Sequence, residues 1–452
     1  MNAQALSAAP ARPVQAPLAR GRRQPKSTEE SPRWQWLLLL AVPVLEYLRP
    51  IDGYLHVLAP LRISGIMVFA MLVVFLRTRK NYLREENLHK LLIAFWAVIS
   101  ITIVFAPNTR ATFNTSLGMF WLAVGFVFPV SVILCSKERV FKFFFFWLAV
   151  QTGLAIIVAL NHGHGLGSYV LDENDVAMVI DMSIPYAVYL ALFPGLSRIK
   201  RILVYSSIPF MLLALGVADS RGGLLGLAAV LLMLPLLSRK PVRNTLALVA
   251  AVLLAIAILL RYLSAAYVTD VEGIDDPNDS TRDERLWSWS IGWVMYKENP
   301  VLGVGAGNYA WTNHLYATKS PMYRPGRKIL GGRAAHSVYF TLLPELGTVG
   351  AIIFICILVA ILNRYRSVRR YCRAQAPLSD DALRFELLFK AMLCSCAGFM
   401  IAGAFISVLY YPPFWHLVGL VAATYRTAGR ELPGFAQPAV PRGRFKRLRA
   451  DT

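Results

Sequence analysis

GGRAAHSVYFTLLPELGTVGAIIFICILVAIL, residues 331–362, decides the fold class. From Ser337 to its end the only charged side chain is Glu345. The run exceeds the roughly 20 residues that an α-helix needs to cross a hydrocarbon core. Runs of this kind recur along a 452-residue chain that is 56% hydrophobic and 16% charged, with mean hydropathy +0.50. A soluble chain would be about a quarter charged. The sequence therefore predicts an all-α, polytopic integral membrane protein. Within the run, His336 stands at the mouth of a predicted helix, with Arg333 just before it and Glu345 inside it. What that pair could do depends on which side of the membrane the mouth faces.

Twelve spans are predicted, at roughly 35–48, 62–77, 89–106, 115–135, 139–160, 175–193, 202–218, 222–238, 244–264, 336–362, 386–409 and 412–427. No amino-terminal signal peptide is visible, and residues 1–33 read as a disordered basic tail. Residues 34–430 form the transmembrane domain and 431–452 a second basic tail. With the amino terminus inside, 34 of the 47 Lys and Arg residues fall in inner segments. Nine of the other 13 lie in a single long outer loop, and long loops cross largely regardless of charge. Both termini are thus expected in the cytoplasm, and the mouth at His336 faces outward. The net charge of +21 follows this inner distribution and does not call for nucleic acid. The five cysteines fall in spans or inner segments and read as small apolar fillers.

The outer loop, about 265–335 with Arg261 counted at its edge, contains the stretch RLWSWSIGWVMYKENP from Arg285 to Pro300. Leu286, Trp289, Gly292, Trp293 and Tyr296 share one face of a helix, which is expected to lie on the outer membrane surface with its tryptophans at headgroup level. GVGAGNY (303–309) follows no strand and reads as a flexible turn. His162-x-His164 and the acidic DVEGIDDPND (270–279) are weak metal candidates, so no metal and no cofactor is expected.

Polar residues that the apolar pattern does not explain gather on the outer side. Asp172, Asn174 and Asp175 precede the sixth span, and Arg221 sits in a tight turn between the seventh and eighth. Arg282 and Arg285 open the loop helix, and Arg333 and His336 precede the tenth span. Arginine forks recognise phosphate, and the phosphates outside a membrane belong to lipids and lipid-linked carriers. A histidine near arginines stays neutral at pH 7 and can accept a proton. Asp181 and Glu345, carboxylates inside spans, are costly unless functional or paired.

Four stretches together resemble the O-antigen ligase and polymerase family: DENDVAMVIDMSIP (172–185), SRGGLLG (220–226), RLWSWSIGWVMYKENPVLGVGAGNY (285–309) and AHSVYFTLLPELGTVGAIIF (335–354). The resemblance implies a membrane glycosyltransferase acting on an undecaprenyl-diphosphate-linked oligosaccharide. The acceptor would be a hydroxyl of lipid A core, of a growing polysaccharide or of a protein. It further implies that Arg221 and Arg285 contact the diphosphate and that His336 serves the acceptor. Arg282, three residues before Arg285, could share the arginine's role. Arg333, Asn174, Asp172 and Glu345 are expected around the substrate. The implied setting is the bacterial inner membrane, with the site facing the periplasm. A transporter of a lipid or small anion is the alternative from another class.

Overall fold

The computed structural model describes residues 31–77, 86–167, 170–238, 242, 243, 246, 280–327, 329 and 331–435. Every regular element among them is helical. The described residues, from Ser31 to Phe435, form one compact unit.

Helix α1 (Arg33–Pro43) runs into a π-turn, Val44–Leu48. It is followed by α2 (Ile63–Arg77) and α3 (Asn87–Ile101). Helices α4 (Thr109–Leu122) and α5 (Phe128–Ile133) are joined by a second π-turn. Then come α6 (Lys137–Leu160), α7 (Glu173–Ala191), α8 (Arg198–Tyr205), α9 (Ser207–Ala218) and α10 (Arg221–Leu236). The loop region supplies α11 (Ser280–Glu298) and α12 (Tyr309–Tyr316). Three helices close the chain: α13 (Tyr339–Ala374), α14 (Asp380–Ala402) and α15 (Pro412–Glu431).

Six helical segments among the described residues are long and apolar enough to cross a membrane: 87–104, 109–133, 137–160, 198–218, 339–374 and 380–405. The ninth predicted span lies almost wholly outside the described residues. Burial separates the helices by role. α7 is buried along nearly its whole length and packs most closely on α14 and α10. By contrast α9 and α13 turn Leu212, Leu213, Ile352 and Ile355 outward. Water would penalise such faces, whereas a lipid tail is as apolar as leucine. The chain is a multi-pass helical membrane protein.

Several boundaries differ from the sequence reading. The expected span at 336–362 starts later, at Tyr339, and continues to Ala374. The stretch from Arg364 that reads as an inner loop is helix, because Arg364 is buried against Glu86 and its Nη1 donates to its own helix at Ala360 O. The most consequential difference lies inside α13. Gly347 has φ 60° and ψ −161°, so the helix is broken there.

The break leaves backbone groups that a membrane interior must satisfy within the protein. The segment 300–305 supplies the partners. Val304 N–H donates to Pro344 O (2.8 Å) and Gly305 N–H to Glu345 O (3.0 Å). In return Thr348 N–H donates to Pro300 O (2.8 Å) and Val349 N–H to Val301 O (3.2 Å). The fit requires two glycines. A Cβ on Gly303 would lie 2.3 Å from the Glu345 carbonyl carbon, and one on Gly347 would lie 2.4 Å from Val301. Both also sit at positive φ, the region that disfavours side chains. Gly347→Ala should therefore destabilise the protein by about 2–3 kcal/mol, seen as a lower unfolding midpoint in detergent. An unchanged midpoint would contradict the interlock.

Candidate active site

The segment expected to be a flexible turn is instead a rigid part of the site's frame. Val304, Gly305, Ala306, Asn308 and Tyr309 are buried. Asn308 donates from Nδ2 to Thr112 Oγ1 (2.6 Å) and accepts from Asn108 N–H at Oδ1 (2.8 Å). Glu345, 3% exposed, holds the same segment from the other side. Its Oε1 accepts from Tyr309 N–H (2.8 Å), and its Oε2 accepts from Gly307 N–H (2.7 Å) and Tyr410 O–H (2.8 Å). Among the described residues Glu345 therefore meets the glycine loop, and neither His336 nor an arginine. These contacts make Glu345 part of the frame that holds the glycine loop.

Tyr309 carries the connection onward. Its hydroxyl meets Ser288 Oγ (2.7 Å) and donates to Ser288 O (2.6 Å), which fixes α11. That helix is not simply laid on a surface. Trp287, Ile291 and Met295 form the buried stripe of a small separate core with Val304, Tyr309 and Ala335. The stripe read from the sequence is the opposite one: Leu286 and Trp293 are 40% and 45% exposed. Trp289 from that stripe turns inward. Its ring stacks on Phe340, 5.5 Å between centroids, and its Nε1–H donates to Ala335 O (3.0 Å). Periodicity could not separate the two stripes, because tryptophans occur on both. Arg327, which the sequence reading passed over, adds a clamp: its guanidinium lies 4.0 Å over the Trp287 ring and pairs with Asp283.

These constraints place α11 beside the turn that precedes α13. Between them is a cavity of about 300 Å³ whose polar lining is Glu284, Arg285, Ser288, Asn313, Arg333 and His336. Arg333 is paired with Glu284, and its carbonyl accepts from Asn313 Nδ2 (3.0 Å). No ion pair holds Arg285 among the described residues. Of the two arginines in TRDER, Arg285 lines the cavity and Arg282 is exposed outside that lining.

His336 lies in the turn, ahead of the helix, with φ 48°. A non-glycine residue in this left-handed region costs about 1–2 kcal/mol. His336 precedes the helix that starts at Tyr339, and burial comes before the nearby arginines among the causes that shift its pKa. The residue is exposed at the surface while it lines the cavity. Burial lowers the imidazole below its usual value first, and the Arg285 charge second. Asp172 and Glu284 pull upward, and Arg333 pushes down again. The net direction leaves a neutral ring at pH 7, able to accept a proton.

Asp172 links this cavity to the remaining predicted residues. It caps α7, accepting from Asn174 N–H (2.8 Å) and Nδ2 (3.1 Å). Asn174 Oδ1 in turn accepts from Ser220 Oγ (2.7 Å), the residue that caps α10. Arg221 follows at the first position of α10, exposed. The Asp219 backbone, at φ 46°, makes the sharp turn before it. Asp172, Asn174 and Arg221 lie outside the cavity's lining; Asp172 and Asn174 are on a chain of hydrogen bonds that reaches Ser220, the residue before Arg221, and the Asp172 charge acts on His336.

The lesser candidates resolve simply. His164 Nδ1 lies 3.1 Å from Leu171 O and 3.7 Å from Glu173. The acidic stretch 270–279 is outside the described residues. The five cysteines are free, and only Cys356 is exposed.

A search of curated proteins found no match. Residues 207–355 match the model of the family described as O-antigen ligase. The match spans Arg221, Arg285, His336 and the interlock at Gly347, while Asp172 and Asn174 precede it. This multi-pass membrane protein therefore carries, at residues 207–355, a region that matches the O-antigen ligase family, in the part of the chain that holds its arginine–histidine cavity.

Proposed function

We propose that the protein is a metal-independent, inverting glycosyltransferase of surface polysaccharide assembly, with undecaprenyl-diphosphate-linked glycan as donor. The observation that carries the reading is the pairing of Arg285 and His336 in one cavity, with Arg285 held by no carboxylate among the described residues. The O-antigen ligase domain supports a role in surface glycan assembly. Twelve spans with both termini in the cytoplasm would place this cavity on the periplasmic side, where carrier-linked glycan is presented.

In this reading Arg285 and Arg221 hold the diphosphate and neutralise it as it leaves. His336 takes the proton of the acceptor hydroxyl, whose oxygen attacks the anomeric carbon from the face opposite the leaving group. The new bond forms as the carbon–oxygen bond to the diphosphate breaks, and the configuration inverts. Because arginine supplies the positive charge, transfer should survive EDTA; complete loss on chelation would overturn that part.

The pH dependence has a defined sign. The base must be neutral, and its pKa lies below the usual histidine value. The rate should be flat near pH 7 and fall only as acid protonates His336, below about pH 6.5. Arg285→Gln removes a cause of the lowering, so the acid limb should move to higher pH. A limb that stays put would remove His336 from the role of base.

The test of the activity is transfer in liposomes from a lipid-diphosphate-linked oligosaccharide, with and without lipid A core. A single addition to core identifies a ligase, and a ladder of longer carrier-linked chains identifies a polymerase. Transfer only to a protein hydroxyl would identify an O-oligosaccharyltransferase. No transfer to any acceptor would favour transport of a lipid or small anion.

A further inference from the structure

A second cavity, about 650 Å³, lies between α6 and the α8–α9 pair, away from the arginine–histidine site. On α6 its wall runs from Lys142 through Phe145 to Ile156, a rise of about 21 Å at 1.5 Å per residue. That is close to the length of an extended acyl chain. Leu203 and Val204 line the opposite side. The wall's two hydroxyls make no demand on a ligand: Thr152 Oγ1 donates to Leu148 O (2.8 Å), and Ser207 Oγ donates to Val204 O.

The polar end differs. Lys142 and Lys200 both line the groove, and neither has an ion pair among the described residues. Both belong to the segments whose basic residues the positive-inside rule assigns to one face of the membrane. Lys200 is carried by α8, a short helix whose Ile199, Ile202 and Leu203 are 73%, 66% and 65% exposed beside exposed Arg198. Exposed isoleucine and leucine next to exposed cations at the start of the 198–218 segment is the pattern of a span end at the headgroup boundary. Arg201 Nε–H, donating to Ala191 O (3.1 Å), holds α8 in that place.

We propose that this groove binds one anionic glycerophospholipid, its phosphate at Lys142 and Lys200 and an acyl chain along α6. The charges fit a phosphate that carries no cation of its own, so the site should discriminate against zwitterionic headgroups.

The experiment compares phosphatidylglycerol with phosphatidylcholine of equal chain length, added to delipidated full-length protein in neutral detergent. Retention is read by native mass spectrometry. The wild type should prefer phosphatidylglycerol by about thirtyfold, the contribution of two ammoniums near a membrane surface. Lys142→Ala/Lys200→Ala should lose most of that preference, and Lys142→Arg/Lys200→Arg should keep it. Arg366→Ala/Arg370→Ala, an equal charge loss on α13, should leave it unchanged. Equal retention of the two lipids by wild type would overturn the proposal. So would a preference that survives in the double alanine variant, one lost equally in the Arg366/Arg370 control, or a polyprenyl phosphate displacing phosphatidylglycerol from the groove.

Discussion

His336→Gly is expected to abolish transfer while making the protein more stable. The two effects have separate physical origins. Removing a general base typically costs 10²–10⁴-fold in rate. The backbone of His336, at φ 48°, sits where glycine is at ease and an L side chain is not. Relief of that strain, less the entropy that glycine loses on folding, should raise stability by about 1 kcal/mol. Strain retained at one residue of a turn, beside an arginine that no carboxylate among the described residues holds, is what a position kept for chemistry looks like. The donor KM should change little, because the arginines hold the diphosphate. His336→Ala should lose the rate without the gain in stability. A destabilised His336→Gly variant would mean that the ring mainly packs, and rate loss alone would then say nothing about its chemistry.

The second large effect is expected at Glu345, which touches neither the cavity nor His336. Glu345→Ala removes three acceptor contacts, those of Gly307, Tyr309 and Tyr410. The loop is tied through Tyr309 to Ser288 on α11, one turn from Arg285. Loosening it should displace Arg285, and displacement of about 1 Å can cost 10²-fold in rate. Glu345→Gln should be milder but not neutral. Tyr410 O–H can turn to accept from a new NH₂, but the amides of Gly307 and Tyr309 cannot, so either orientation of the glutamine leaves one N–H facing another. The order wild type, Gln, Ala should hold for unfolding midpoint and transfer rate alike. Full activity in Glu345→Ala would detach the glycine loop from the site.

The helical membrane fold was legible because its signal, apolar run length, is simple, and the rim residues stood out as arginines for which the apolar pattern gives no reason. Arg285 and His336 came from that kind of reading and share a cavity. Glu345 was seen but its partners were not, since two are backbone amides 36 and 38 residues away in sequence and the third is the hydroxyl of Tyr410, 65 residues on. The alternating glycines of GVGAGNY and the glycine of PELG were visible as well. What could not be read was that the first fills a break made by the second. The α11 stripe failed for a different reason. A helix that packs on protein with one side and leaves another open offers two apolar faces, and spacing alone does not say which is buried.

The account turns on chemistry at His336, and one comparison tests it most directly. Wild-type and His336→Gly protein, each shown folded by its unfolding midpoint, are placed in liposomes with labelled lipid-diphosphate-linked oligosaccharide and acceptor. Transferred glycan and released lipid diphosphate are then measured together. Wild type should give equal amounts of the two products, and His336→Gly neither. Transfer by His336→Gly at the wild-type rate would contradict it, as would wild type moving the donor across the bilayer with its sugar–phosphate bond intact.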